Sequence, residues 1–333
     1  MQSDIAARTE RWQDTLALLL SARSLRMLLL GFSSGLPILL VFSTLSVWLF
    51  EAGVKRDLVT YFSWAGLAYG FKFVWSPLID RIPLPLLANR MGHRRAWLLF
   101  SQLCIIAAML FTATTDPANS LAWTAYGAVA IGFTSATQDI VIDAYRIESA
   151  PPRMQAFLSA TYVAGYRIAM LTAGAGSLWL AAWLGTESYN PEIWQTVYRV
   201  MACFMLVGII ATLISPEPEV GGDVASDKTV QLKLFLAFIA GVCGMVYVFG
   251  EFPGTPKDLE PFAKLAFNSL RLLASLGVAG LIIFGLAKIK FVPGQEARKS
   301  YVEPFTDFIS RYGKTAMVIL ALIGIYRISD IVM

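Results

Sequence analysis

Long apolar runs dominate the chain, and each ends in a cluster of Pro, Gly or charged residues. A bilayer-spanning helix needs about 20 mostly apolar residues. Eight runs approach or exceed that length: Met27–Phe50, Leu58–Ile79, Ala96–Thr115, Leu121–Ala144, Ala156–Trp183, Trp194–Ile214, Val230–Gly250 and Leu265–Ala287. A ninth, Thr315–Met333, runs into the chain end. Barrel strands are about 10 residues of strict alternation, so the pattern predicts an all-α polytopic membrane protein. The first run is too long for a signal-peptide h-region, and apolar residues continue past Pro37 where a cleavage site would stand.

The breaks between runs set the expected organisation. Residues 1–22 form an N-terminal segment and 23–216 a six-helix transmembrane bundle. A Pro/Gly-rich polar linker follows at 217–229, of the kind that separates structural units. Residues 230–290 hold two extra helices. A second linker, 291–314, contains an amphipathic helix with Phe305, Phe308, Ile309 and Tyr312 on one face. Residues 315–333 read as the first helix of an incomplete second bundle. Six spans, a hydrophilic break and a new set is the layout of a two-bundle transporter. The chain is therefore expected to be a truncated portion of a longer protein, unable to transport by alternating access alone.

Composition agrees with the spans. Hydrophobic residues make up 56% and charged residues 15%, against about 25% charged in soluble domains, and mean hydropathy is +0.61. A disordered chain, a nucleic-acid binder and an ordinary cytosolic enzyme are excluded. The 3 cysteines, Cys104, Cys203 and Cys243, fall singly in different runs, so no disulfide framework or metal spacing exists. With one histidine, His93, neither a metal nor any other cofactor is expected.

Lys and Arg near span ends set orientation. With the N-terminus inside, the cytoplasmic segments hold most of them, including Arg8, Arg11, Arg23, Arg26, Arg81, Arg90, Arg94, Arg95, Arg146 and Arg153. The outer loops hold Lys55, Arg56, Lys257 and Lys264. A cytoplasmic N-terminus follows.

Ionisable residues inside the spans need a reason, since each costs about 2.5–3.5 kcal/mol at mid-membrane on insertion scales. Lys72 in span two and Asp139 in span four fall at nearly the same depth. Asp143 lies one turn from Asp139, on the same face. Arg167 sits near the middle of span five, and Arg327 and Asp330 form an i,i+3 pair in span nine. Lys72 and Asp139 are either a buried pair that fixes packing or part of a titrating site. In the second reading Asp139 or Asp143 carries a proton, with Lys72 or Arg167 tuning it. Gln138 serves either an interhelical hydrogen bond or a polar solute. Gly31, Ser33, Ser34, Gly35 and Pro37 in span one give close packing or an irregular backbone lining a cavity. Tryptophans near span ends suggest an interfacial belt, while Tyr61, Trp64 and Tyr69 offer faces for stacking on sugar rings.

Asp80-Arg81, then Gly92, Arg94 and Arg95, resemble the D-R-x-G-R-R gating loop of the major facilitator superfamily, with a longer gap before Gly92. A finer resemblance is to AmpG-type muropeptide permeases. It is carried by Gly31-Phe-Ser-Ser-Gly-Leu-Pro37, Phe71-Lys-Phe-Val-Trp-Ser-Pro-Leu-Ile-Asp-Arg81, Ser135-Ala-Thr-Gln-Asp-Ile-Val-Ile-Asp-Ala-Tyr-Arg146, Gly165-Tyr-Arg-Ile-Ala-Met-Leu171 and Pro304-Phe-Thr-Asp-Phe308. Acetyl-coenzyme A transporters are related to the same family.

The resemblance implies proton-driven import of N-acetylglucosaminyl-1,6-anhydro-N-acetylmuramyl peptides across a bacterial inner membrane. That import feeds cell-wall recycling and β-lactamase induction. On this reading Asp139 and Asp143 couple protons, and Lys72, Gln138, Arg167, Gly35 and Tyr69 contact solute. Asp80, Arg81, Gly92, Arg94, Arg95 and Arg146 form the gate. The partners expected are the muropeptide and membrane lipids, with the protein a monomer and the proton gradient as driving force. The alternative is a related transporter of another anionic or zwitterionic solute, such as an acyl-coenzyme A. A membrane enzyme acting on lipid-linked precursors would need a catalytic cluster in a loop, and no such motif is present.

Overall fold

A computed structural model of the chain describes residues 21–55, 75–185, 189–219, 228–251 and 260–313, with Phe62, Tyr69, Lys72, Thr315, Val318 and Leu322. Most of the second and ninth expected spans, including Tyr61, Trp64, Arg327 and Asp330, lies outside the described residues. Helix α1 (Ala22–Leu39) continues through a π turn (Leu40–Thr44) into α2 (Leu45–Glu51). Short helices α3 (Ser76–Arg81) and α4 (Leu87–Met91) precede the long α5 (His93–Thr112) and α6 (Leu121–Glu148). Helix α7 (Pro152–Leu171) passes through a second π turn (Thr172–Gly176) into α8 (Ser177–Leu184). Then come α9 (Pro191–Phe204), α10 (Leu206–Ile214), α11 (Lys228–Glu251), α12 (Pro261–Lys288), α13 (Gly294–Tyr301) and α14 (Glu303–Tyr312). No strand occurs among the described residues.

Among the described residues, four stretches are long and apolar enough to cross a membrane: Ala22–Glu51, His93–Thr112, Pro152–Leu184 and Pro191–Ile214. Helix α6 has the length, 28 residues, but Gln138, Asp139, Asp143, Arg146 and Glu148 dilute its second half. The protein is an all-α, membrane-embedded, polytopic chain.

The chain divides into two compact units: residues 1–76, 90–221 and 317–333, and residues 77–89 and 222–316. In the first unit α1 packs on α7 at near-backbone contact. A Cβ on Gly31 would collide with the Tyr162 carbonyl, one on Gly35 with the Tyr166 backbone, and one on Gly165 with the Leu28 carbonyl. Small residues are the usual device for such an approach in a bilayer, where dispersion rather than hydrophobic exclusion holds helices together.

The two π turns also face one another. Thr44 Oγ1 donates to the Ala173 carbonyl at 2.7 Å, and the Tyr198 hydroxyl donates to the Leu40 carbonyl at 2.8 Å. Pro37, which has no N–H to donate, precedes the first π turn, and the backbone irregularity is satisfied inside protein.

The tryptophan belt read from the sequence needs correcting. Trp123 is exposed, but Trp48, Trp75, Trp97 and Trp194 are buried. Trp48 stacks on Trp194 with ring centroids 6.2 Å apart. Their indole N–H groups find partners inside: Trp194 donates to Glu51 at 2.8 Å and Trp48 to the Tyr189 hydroxyl at 3.3 Å. A satisfied indole loses its reason to stay at the headgroups.

The second unit is held at its polar end by three contacts. Tyr301 donates to the Leu234 carbonyl at 2.6 Å, Lys233 lies 5.9 Å from the Phe291 ring, and Arg81 donates to the Lys299 carbonyl at 2.5 Å.

Candidate functional site

The interior face of α6 carries the site. Asp139, Asp143 and Arg146 follow at i, i+4 and i+7 and so lie along one stripe. Lys72 approaches that stripe, with Nζ 4.0 Å from Asp139 and 3.4 Å from Asp143. Arg146 holds the other oxygen of Asp143 at 3.4 Å and donates to the Ser159 hydroxyl of α7. Two basic and two acidic side chains thus gather in one cluster, enclosed at Asp139 (side chain 9% exposed) and open at Asp143 (46%).

Asp139 also accepts a hydrogen bond from the Ser34 hydroxyl of α1, and Ser34 lies 2.7 Å from the Tyr162 hydroxyl of α7. Ser34 has one proton and spends it on the carboxylate, so Tyr162 is the donor in the second bond. A chain Tyr162–Ser34–Asp139 results. The same close approach of α1 and α7 that the glycines permit brings these hydroxyls together.

The other candidates are placed as follows. Gln138 is wholly buried and donates to Ser33 Oγ at 3.0 Å, one turn-face away from the charge cluster. Gly35 is sealed against Tyr166. Tyr69 is buried with its ring 6.5 Å from Phe42. Arg167 is not gathered into the cluster: it lies exposed on α7, with Nη1 3.6 Å from the Met170 sulfur. It stands two residues from Gly165, about 200° around the helix, and Gly165 is what faces α1. A separate cavity of about 340 Å3, lined by Val47, Glu51, Tyr189, Asn190 and Trp194 among others, lies at the opposite end of the first unit and touches none of the candidate residues.

At the basic end Gly92 begins α5 with φ of 89°. The Glu217 carboxylate accepts from the backbone N–H of Arg94 at 2.7 Å and of Arg95 at 3.0 Å, supplying the negative charge a helix N-terminus favours. Arg94 grips Glu148 with two bonds, 2.9 and 2.5 Å, and Arg95 donates to the Thr212 and Leu213 carbonyls at the end of α10. The loop basics therefore fasten α5 to α6 and α10. Asp80 and Arg81 fall in the second unit, where Arg81 also approaches Glu303 at 3.7 Å. Breaking the Arg94–Glu148 fork leaves a largely buried carboxylate unpaired; Arg94→Ala is expected to cost about 3 kcal/mol, read as a lowered Tm in detergent.

Sequence reading missed Ser34 and Tyr162 as partners of Asp139, Ser159 as partner of Arg146, and Glu148 and Glu217 as anchors of the loop. Glu148 stood two residues past Arg146, a usable signal. The others depend on how the helices are rotated.

The chain thus combines helices long and apolar enough to cross a membrane, a fastened basic loop and a charge cluster on α6. The sequence profile of the Major Facilitator Superfamily matches residues 27–326, and the chain belongs to that family. Among curated relatives it is 42% identical over 197 residues to the anhydromuropeptide permease of Escherichia coli strain K12, covering 59% of this chain and 38% of that protein. It is 38% identical over 197 residues to a candidate transporter, AmpG 4, of Rickettsia felis, covering 59% of this chain and 46% of that one. The chain thus spans less than half the length of these relatives.

Proposed function

We propose that the protein is part of a proton-coupled importer of N-acetylglucosaminyl-1,6-anhydro-N-acetylmuramyl peptides, working as a monomer in a bacterial inner membrane with its N-terminus in the cytoplasm. The placement of Lys and Arg supports that orientation. Likeness to a permease named for anhydromuropeptides supports the solute. Import of this kind returns wall fragments for recycling and feeds β-lactamase induction.

The observation that carries the proposal is Asp139: an ionisable group enclosed among spans, with a hydroxyl chain on one side and a shared cation on the other. Lys72 and Arg146 each lie 3.4 Å from Asp143, and Lys72 lies 4.0 Å from Asp139. Asp139 is the more enclosed of the two carboxylates, 9% exposed against 46%, and it is the proton carrier in this account. When it is protonated its O–H donates to Ser34, and Ser34 is freed to donate to Tyr162. The polarity of the chain reverses, so a proton's arrival at α6 is felt on α7.

The test is uptake of labelled anhydromuropeptide by cells that lack their own permease and express the complete gene product. Accumulation that an uncoupler abolishes is expected. Accumulation indifferent to the uncoupler removes proton coupling, and absence of uptake removes the solute assignment.

A further inference from the structure

We infer that the cavity between α2, α8 and α9 is a binding site for an alkylammonium group, with Glu51 as its counter-ion. The site is separate from the α6 cluster and does not depend on what the protein transports.

The cavity measures about 340 Å3, near the small end of ligand pockets, which run from ~300 to 1,000 Å3. Val47, Leu178 and Ile193 give it aliphatic walls, and Tyr189 and Trp194 add aromatic rings. Among the described lining residues Glu51 alone carries a charge. Its Oε2 accepts from the Trp194 indole at 2.8 Å, and no cation among the described residues pairs with it.

The backbone adds to that negative charge. The stretch Ala22–Glu51 ends at Glu51 itself, and Pro152–Leu184 ends one residue before Gly185, which also lines the cavity. Two helix C-termini therefore close on the same space, and each carries roughly half a negative charge that favours cations. The opposing N-terminus, that of α9, is already answered. Asn190 caps it by accepting from the Glu192 N–H at 2.9 Å, and Glu192 stands in the first turn.

This lining selects among ligand classes. An anion would meet a carboxylate and two carbonyl ends. A sugar needs several free donors and acceptors, but the Tyr189 hydroxyl is engaged on both sides, donating to Asp116 at 2.5 Å and accepting from Trp48 at 3.3 Å. Calcium takes about 6–8 oxygens, which one carboxylate does not supply. An ammonium on a short carbon chain suits every part. Its N–H groups pair with the open oxygen of Glu51, its charge lies near aromatic rings that attract cations, and its carbons rest on the aliphatic walls. Two sources carry that chemistry: a soluble amine and the ethanolamine headgroup of a phospholipid.

The experiment follows Tm of the complete gene product in detergent during titration with butylammonium chloride. Sodium butyrate and butanol are titrated beside it. A saturable rise with butylammonium alone is expected. Glu51→Gln keeps an acceptor for the Trp194 N–H and removes the charge. It should shift the midpoint about tenfold or more, the loss of one charge-assisted hydrogen bond. Ala182→Trp fills the cavity from an exposed lining position and should abolish the response; it decides the matter if Glu51→Gln does not fold. Native mass spectrometry after extraction from mixed phosphatidylethanolamine and phosphatidylglycerol vesicles separates the sources. Preferential retention of phosphatidylethanolamine that Glu51→Gln loses assigns the headgroup. Equal retention of the two lipids, with a butylammonium response that needs Glu51, assigns a soluble amine.

A butylammonium response that the two variants leave unchanged overturns the inference. So does the absence of any response together with equal retention of the two lipids.

Discussion

Asp139→Asn is expected to abolish uphill accumulation of anhydromuropeptide while the protein still inserts and folds. Asn keeps the size of Asp and can accept from Ser34, so the hydrogen bond between α1 and α6 persists. Lys72 retains Asp143 at 3.4 Å. The change removes one group's ability to gain and lose a proton. A transporter so altered still exchanges internal for external solute, because exchange needs no net proton movement. The expected pattern is entry counterflow within severalfold of the unmutated rate with gradient-driven accumulation lost. Accumulation at the ordinary level would take Asp139 out of the mechanism and move attention to Asp143.

The second large effect is structural. Gly165→Leu places a side chain where the Leu28 carbonyl and the Phe32 amide already lie. Both obstacles are backbone, so no side chain can rotate away and α1 must separate from α7. Overpacking a tight contact costs about 1–3 kcal/mol and more where the backbone itself must move. Separation also breaks the Ser34–Tyr162 bond, which spans the same interface. Thermal unfolding in detergent should show a Tm lowered by many degrees, or no folded protein. Gly277→Ala is the control: nothing lies within 4 Å of that position, and Ala is the better helix former by about 1 kcal/mol. Gly277→Ala should unfold at or above the ordinary temperature. If Gly165→Leu matches it, the close approach of α1 and α7 is not what holds the bundle.

Much of this organisation is legible in the residues alone, because the bilayer imposes length. Apolar runs of about 20 residues are long enough to span, and four described stretches meet that measure. Spacing along one helix is equally legible: Asp139, Asp143 and Arg146 had to share a stripe on α6. What was illegible is rotation about each helix axis. Arg167 and Tyr162 sit on the same helix five residues apart, yet Tyr162 reaches the site and Arg167 does not join it. The two glycine positions on α1 and Gly165 on α7 set that rotation, and sequence shows only that small residues are present.

Satisfaction of polar groups was the other hidden variable. Trp48 and Trp194 read as interfacial because an indole N–H ordinarily seeks water. Their partners, Glu51 and Tyr189, come from distant stretches of chain. Glu217 stood in a segment that looked like a plain linker, yet it caps the helix that begins at Gly92.

Proton movement tied to solute movement is the most direct measurement. The complete gene product is reconstituted into vesicles loaded with a pH-sensitive dye, with no imposed gradient, and anhydromuropeptide is added outside. Internal acidification that follows solute entry, and that vanishes in Asp139→Asn, is the expected result. Solute entry without acidification, or acidification of equal size in the variant, would contradict the assignment of a moving proton to this buried carboxylate.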